Sequence, residues 1–239
     1  MVRRCFAIIL ILGLVTVCHA AWDILDEDCS DISDWGDAKD AGGGSYSDVN
    51  PAGQFRFHAD YFADLTYGFA RRNREIPTPG TYTYEIKIYL DDVGNHPHKY
   101  FESSLREPNH RLILRWADDG LFVSNDSSFE EIGTNIVSPG TWQTWKFIVV
   151  TSISSMDVYI DGVLEYEDVE CDYAGDGADE IFLKLFNGQS AETATVHIDY
   201  VKIATYTPDP SDPGGSPTSL PPSYNQALWL PGSGITWGE

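Results

Sequence analysis

Basic residues are scarce in this chain. Its 239 residues include 15 Lys and Arg against 37 Asp and Glu, and the formal net charge is −22. A protein this acidic lacks the cationic surface that nucleic acids require, so we expect no nucleic-acid partner. Long apolar runs are also missing beyond residue 20, and none approaches the roughly 20 residues of a membrane helix. We therefore expect no membrane span in the mature protein.

The first 20 residues have the pattern of a secretory signal peptide. Two Arg precede an apolar run at 5–17, and Ala20 provides the small residue before a cleavage site. Val17 stands before Cys18 where a lipoprotein signal has a small residue, which argues against a lipid anchor. Removal of residues 1–20 leaves 37 acidic and 13 basic residues, a net charge of about −24. We expect a protein that is secreted, extracellular or at the cell surface.

Cysteine is equally rare, and only Cys29 and Cys171 remain after the predicted cleavage. A pair of cysteines in an exported chain predicts a disulfide bond, which would close a loop of about 140 residues and contribute about 3–5 kcal/mol. Two buried thiols are the alternative, because a sequence does not show whether the two positions meet in space.

Residues 21–206 predict a single all-β domain. Asp161-Gly162 between alternating apolar runs is typical of a hairpin turn, and no segment predicts a helix. Short strands separated by turn residues favour two packed antiparallel sheets. The predicted strands are 54–59, 65–70, 81–90, 99–105, 111–116, 121–124, 145–151, 156–160, 180–186 and 195–205.

The composition changes after residue 206. Residues 207–223 are rich in Pro, Gly and Ser, which predicts a disordered linker. Residues 224–239 contain Leu, Ile and Trp, too many for an idle tail and too few for a core. This tail is a docking segment for a protein partner, the start of a truncated next module, or a segment that folds back.

Three motifs follow one another along the domain: PGTW at 139–142, VYIDG at 158–162 and VHIDYVKI at 196–203. An Asp-rich turn before a Trp, at 26–35, precedes them. In this order they resemble motifs of the concanavalin A-like lectin and glucanase superfamily, which includes laminin G-like and laminarinase-like jelly-roll sandwiches. The resemblance covers residues 22–206 and implies a two-sheet antiparallel jelly-roll β-sandwich.

The laminarinase-like branch of that superfamily implies a catalytic strand with the pattern E-x-D-x-x-E. Retaining glycosidases need two carboxyl groups about 5 Å apart, one as nucleophile and one as acid/base. By order along the chain the equivalent strand is 111–116, RLILRW, which has no carboxylate. The sequence therefore predicts a non-catalytic, lectin-like module that binds a polysaccharide or a surface glycoconjugate.

Every Arg of the mature chain lies between residues 56 and 115. Arg111 and Arg115 share one face of their strand, and guanidinium groups bind carboxylate and sulfate oxygens through two parallel hydrogen bonds. An anionic polysaccharide is therefore among the expected ligands, although pairing of these Arg with acidic neighbours is the alternative. The predicted ligand-binding residues, all on strands or strand ends, are Arg106, Arg111, Arg115, Tyr89 and Tyr100.

Two further functions stay open. A polysaccharide lyase or divergent glycoside hydrolase would use Arg106, His110 and Arg115, with His as base and Arg beside the uronate carboxylate. Residues 104–107 and 182–187 resemble strands of alginate-lyase-like enzymes but depart from their patterns. A structural or adhesive subunit of an extracellular assembly would use the C-terminal tail as its connector.

The resemblance also implies a structural Ca²⁺ between the opening segment and the closing strand. Asp26, Glu27 and Asp199 occupy the implied positions, and carboxylate oxygens suit Ca²⁺. A hydrogen-bonded edge residue is the alternative for Asp199.

If calcium binds there, EDTA is expected to lower the thermal midpoint of unfolding by several degrees, because a metal bound only to the folded state stabilises it. Scanning calorimetry with and without added calcium measures the shift. An unchanged midpoint, with no metal found by elemental analysis, excludes the site.

Overall fold

A computed structural model of the chain describes residues 22–36, 40–41, 43–77, 80–106, 111–125, 128–171, 179–189 and 192–206. These residues form β-strands, their connections and one 3-10 turn at Thr151–Ile153, so the predicted all-β class is confirmed. None of these segments forms a helix with the length and apolar character of a membrane span. The predicted signal peptide, linker and tail lie outside the described residues.

The strands form two antiparallel sheets that pack against each other as a sandwich. One sheet has eight strands, in the order β12-β11-β10-β5-β14-β3-β2 with β1 beside β14, and the other has six, in the order β4-β13-β6-β7-β8-β9. In chain order the strands are β1 (Leu25–Glu27), β2 (Tyr46–Val49), β3 (Phe55–Asp60), β4 (Gly68–Glu75), β5 (Tyr82–Asp92), β6 (Lys99–Arg106), β7 (Arg111–Ala117), β8 (Gly120–Asn125), β9 (Ser128–Thr134), β10 (Trp142–Val150), β11 (Ser155–Ile160), β12 (Val163–Glu170), β13 (Glu180–Asn187) and β14 (Thr193–Thr205).

All ten predicted strands are present, and β1, β2, β9 and β12 were not predicted. Strands β2, β9 and β12 lie at sheet edges, and β9 and β12 are acidic, which lowers their strand propensity. The hairpin at residues 161–162 is confirmed. Asp161 and Gly162 have φ values of 51° and 83°, the positive pair that a type I′ turn requires between β11 and β12.

Aromatic side chains from both sheets meet in the core. The ring of Trp116 on β7 stands edge-on to that of Trp145 on β10, with centroids 5.9 Å apart. The hydroxyls of Tyr84 on β5 and Ser103 on β6 are hydrogen-bonded at 2.7 Å, which links the two sheets inside the core. Trp142, the first residue of β10, lies on the outer face of its sheet, with its ring centroid 5.5 Å from that of Tyr89. Trp142 and Trp145 are three positions apart, and an odd spacing on a strand places two side chains on opposite faces.

The predicted disulfide bond does not form. Cys29 and Cys171 are buried thiols that are not joined to each other. Cys29 follows β1, which pairs with β14, whereas Cys171 follows β12 at the far edge of the same sheet. The strands β11, β10, β5 and β14 separate them at about 5 Å per strand, far beyond the roughly 7 Å that a disulfide spans between Cα atoms.

Gly133 on β9 provides a stability test, because a Cβ there would meet the Tyr166 ring and hydroxyl of β12. Gly133→Ala is expected to lower the free energy of unfolding by about 1–3 kcal/mol through overpacking. Urea titration measures it, with Gly43→Ala as the control, since a Cβ at Gly43 meets no atom within 4 Å. Equal stability of the two variants would contradict the contact between Gly133 and Tyr166.

Candidate functional site

Strand register places a row of charged side chains across the outer face of the six-stranded sheet. The side chains alternate along each strand, so residues paired across neighbouring strands point to the same face. From β4 to β9 this central row consists of Arg71, Lys184, Glu102, Arg115, Phe122 and Glu131. It places Lys184 and Arg115 on either side of Glu102 at the middle of the sheet, with Arg71 on the strand beyond Lys184.

Glu102 is the buried centre of the row, with 4% of its side chain exposed. Its Oε2 accepts a hydrogen bond of 2.9 Å from Nε of Arg115, and its Oε1 accepts one of 2.9 Å from the Ser104 hydroxyl. Burial acts to raise the pKa of Glu102, but the charges of Lys184 and Arg115 outweigh it and hold the pKa below its usual range. Glu102 is therefore an anion at neutral pH.

Arg115 also packs on aromatic rings beside the row. Its guanidinium carbon lies 4.3 Å from the ring centroid of Tyr100 and 3.7 Å from that of Phe129. Its Nη1 lies 3.2 Å from Nε2 of His96, which must accept because a guanidinium group only donates. Burial, reinforced by Arg115, lowers the pKa of His96, and the ring stacks on Phe122 at 4.2 Å. A neutral His96 thus lies against Arg115 and Phe122 of the row.

An aromatic strip runs parallel to the central row. Phe69, Phe186 and Tyr100 are paired across β4, β13 and β6, and the rings of Tyr100 and Phe186 stack at 5.1 Å. Burial raises the pKa of Tyr100 to about 12, so its hydroxyl stays protonated. The face therefore combines fixed cations with planar apolar surfaces.

The structure brings together four of the five predicted ligand-binding residues. Arg106, Arg111, Arg115 and Tyr100 all lie on the outer face of the six-stranded sheet. Tyr89 does not join them, because β5 belongs to the other sheet.

Tyr89 lies on the outer face of the eight-stranded sheet, between two other rings. The centroids of Trp142 and His197 are 5.5 Å and 6.2 Å from that of Tyr89. For the lyase alternative, Arg106 and Arg115 share the six-stranded face, whereas His110 lies outside the described residues.

Some arginines do pair with acidic neighbours, as the alternative interpretation predicts. Arg115 contacts Glu102, Arg56 contacts Asp48 at 2.6 Å, and Arg74 contacts Glu27 at 2.7 Å.

Within the described part of this face, Glu102 has no carboxylate on either neighbouring strand, and the paired carboxylates Glu75 and Glu180 lie at the end of the face where β4 meets β13. Glu102 faces Lys184 and Arg115 on its two neighbouring strands, and Glu131 lies three strands away in the same row. Glu180 on β13 is paired with Arg106, four residues along β6 from Glu102. A lowered pKa also suits Glu102 to charge stabilisation rather than to proton donation.

Glu27, one of the three predicted calcium ligands, is buried and already has three donors. It accepts hydrogen bonds from the Cys29 N–H at 2.9 Å, Trp35 Nε1 at 3.0 Å and Arg74 Nη1 at 2.7 Å. Its carboxylate therefore ties the opening segment to β4.

The other two predicted ligands have lysine partners. Asp26 lies 3.2 Å from Nζ of Lys202, and Asp199 lies 2.8 Å from Nζ of Lys87. Across the described ranges, no three His, Cys, Asp or Glu side chains are grouped closely enough to hold a metal. The three carboxylates thus do not fit a shared calcium site as they stand, and the chelation experiment remains the test.

Sequence reasoning missed Glu102, Lys184, Arg71 and His96. Glu102 had a signal, because Glu102, Ser104 and Arg106 alternate with Phe101, Ser103 and Leu105 along β6 and mark its outer face. By order along the chain the catalytic pattern aligns with β7, whereas Glu102 lies on the preceding strand, β6. Lys184 and Arg71 become part of the site only through the pairing of β13 with β4 and β6.

The fold and this surface define a jelly-roll β-sandwich with a cationic and aromatic face on one sheet. The predicted concanavalin A-like fold is confirmed. Neither a protein-family model nor a curated protein matches the sequence.

Solved structures do match the fold. A sialidase superimposes with a TM-score of 0.56 at 15% identity over 78% of this chain, which spans 19% of that protein's length. The β-glucanase of Bacillus licheniformis gives a TM-score of 0.53 at 13% identity, covering 77% of this chain and 98% of that one. Cellulose induced protein Cip1 gives 0.55 at 15% identity, covering 76% and 97%. At these identities the likeness establishes the fold alone.

Glu102→Gln is expected to lower the free energy of unfolding at pH 7 by about 3 kcal/mol, because Arg115 and Lys184 lose their shared counter-charge. The pKa of Glu102 is lowered by folding, so its contribution is complete above the usual pKa of Glu, about 4.3, and is lost as the pH falls through the lowered value.

Urea titrations at pH 7 and pH 3 test this, with exposed Glu131→Gln in the same row as the control, expected within about 0.5 kcal/mol of the unaltered protein. The difference caused by Glu102→Gln should shrink at pH 3. A difference that is the same at both pH values would contradict the ionised Glu102.

Proposed function

We propose that this protein is an exported, non-catalytic, lectin-like module that binds a polysaccharide or a surface glycoconjugate on the outer face of the six-stranded sheet. The charge of that face supports the proposal most. Outward positions of the described strands include five cations, Arg71, Lys184, Arg106, Arg111 and Arg115, and four carboxylates, Glu75, Glu102, Glu131 and Glu180. The face is therefore slightly positive in a chain of net charge −22.

The aromatic side chains of the same face suit the C–H surfaces of sugar rings. Phe129 and Phe186 are partly exposed beside the buried Tyr100 and Phe122. Flat rings offer large apolar area at low cost in side-chain entropy, and neighbouring charges can bind hydroxyl groups. The names of the sialidase and β-glucanase that share the fold agree with a carbohydrate ligand.

Two other parts of the proposal come from sequence. The residues at 1–20 support export, and the apolar residues at 224–239 support a protein partner attached through the tail.

A glycan array followed by calorimetry tests the proposal and its location. Phe129→Ala is expected to weaken binding about tenfold, because burial of a Phe ring against a sugar contributes roughly 1.5 kcal/mol. Tyr89→Ala on the other sheet is the control and should leave the affinity unchanged. Loss of affinity only in Tyr89→Ala would move the site to the eight-stranded sheet, and no bound glycan would contradict the proposal.

The lyase alternative is tested in the same samples by measuring absorbance over time. Cleavage by a lyase produces unsaturated uronates, whose absorbance rises with time. Binding without new absorbance supports a lectin-like module, whereas turnover would establish an enzyme.

A further inference from the structure

We infer that the polysaccharide is acidic, and that Arg71 and Arg106 together bind one of its carboxylate or sulfate ester groups over the ring of Phe182. This inference rests on the proposed function and adds the chemistry of the ligand. We call these three residues the arginine clamp.

The clamp spans three neighbouring strands. Phe182 lies on β13, between Arg71 on β4 and Arg106 on β6. The guanidinium carbon of Arg71 lies 5.2 Å from the ring centroid of Phe182, and that of Arg106 lies 3.8 Å from it. One aromatic ring thus orients two guanidinium groups from its two neighbouring strands, which reduces the entropy lost when they bind a ligand.

Both guanidinium groups have a donor without an acceptor. Among the described residues, the Nε atoms of Arg71 and Arg106 are buried and have no hydrogen-bond partner. A buried donor left unpaired costs about 1–3 kcal/mol, so a ligand oxygen that reached it would recover that energy. These two Nε atoms lie on one face, beside one ring, which points to a shared ligand.

Two carboxylates near the clamp, Glu102 and Glu180, are already engaged. Glu102 bonds to Arg115 and Ser104, and its closest approach to Arg106 is 3.8 Å. Glu180 on β13 is paired with Arg106 on β6, and its carboxylate accepts a hydrogen bond from the Asn73 side chain. Arg106 therefore shares Glu102 with Arg115, which holds that carboxylate at the shorter distance of 2.9 Å.

Like charges lie close to each other in the clamp. Burial lowers the pKa of Arg106 most, Glu102 raises it, Arg111 and Arg71 lower it further, and Glu180 raises it. An incoming anion would relieve this repulsion, whereas a neutral sugar would not. Carboxylate and sulfate oxygens also match the planar fork of a guanidinium group, which binds them through two parallel hydrogen bonds.

Calorimetry with matched polymers tests the clamp. A polyuronate is compared with the same polymer after its carboxyl groups are reduced, and a sulfated glucan with its unsulfated parent. The protein is expected to bind at least one acidic polymer about tenfold more tightly than its neutral counterpart, and Arg71→Gln and Arg106→Gln should each remove about tenfold of that affinity. Preference between polyuronate and sulfated glucan identifies the group as carboxylate or sulfate ester.

Arg56→Gln is the matched control, because Arg56 lies on the outer face of the other sheet and pairs with Asp48. It should leave the affinity unchanged. Arg106→Lys keeps the charge and loses the fork, so it should lose less affinity than Arg106→Gln while the thermal midpoint stays the same.

Equal affinity for acidic and neutral polymers, or equal effects of Arg106→Gln and Arg56→Gln, would overturn the clamp and leave the proposed function intact. Failure to bind any of the four polymers would instead count against both.

Discussion

The aromatic layer between the two sheets determines which side chains face outward. Trp116 packs edge-on against Trp145, and the hydroxyls of Tyr84 and Ser103 connect the sheets through that layer. Because strand side chains alternate, turning these residues inward forces their neighbours onto the outer faces. A one-residue slip of β6 would bury Arg106 in the core, so the packing of apolar rings positions the charges of the candidate site.

One buried carboxylate allows that outer face to stay cationic. Glu102 offsets the repulsion between Lys184 and Arg115, and both cations pack against aromatic rings. The cost of burying these charges is lowest when donors and acceptors are matched. The matching is complete around Arg115 and incomplete around Arg71 and Arg106, so the face combines a rigid centre with unsatisfied donors at one side.

The sequence predicts the sandwich and part of its binding face, and strand periodicity explains both. Arg111 and Arg115 are four positions apart, so strand periodicity predicts that they share a face. Trp142 and Trp145 are three positions apart, so the same periodicity places them on opposite faces. The contact between Lys184 and Glu102 could not be predicted, since it depends on the register between two strands that are distant in the chain. The edge strand β12 was missed because its acidic residues are uncommon in strands.

The thiol of Cys29 lies deep in the sandwich, and burial raises the pKa of that thiol well above its usual range. Since thiolates are the reactive form, Cys29 is chemically silent while the sheets stay packed. The rate at which a thiol reagent modifies Cys29 therefore reports how often the sandwich opens.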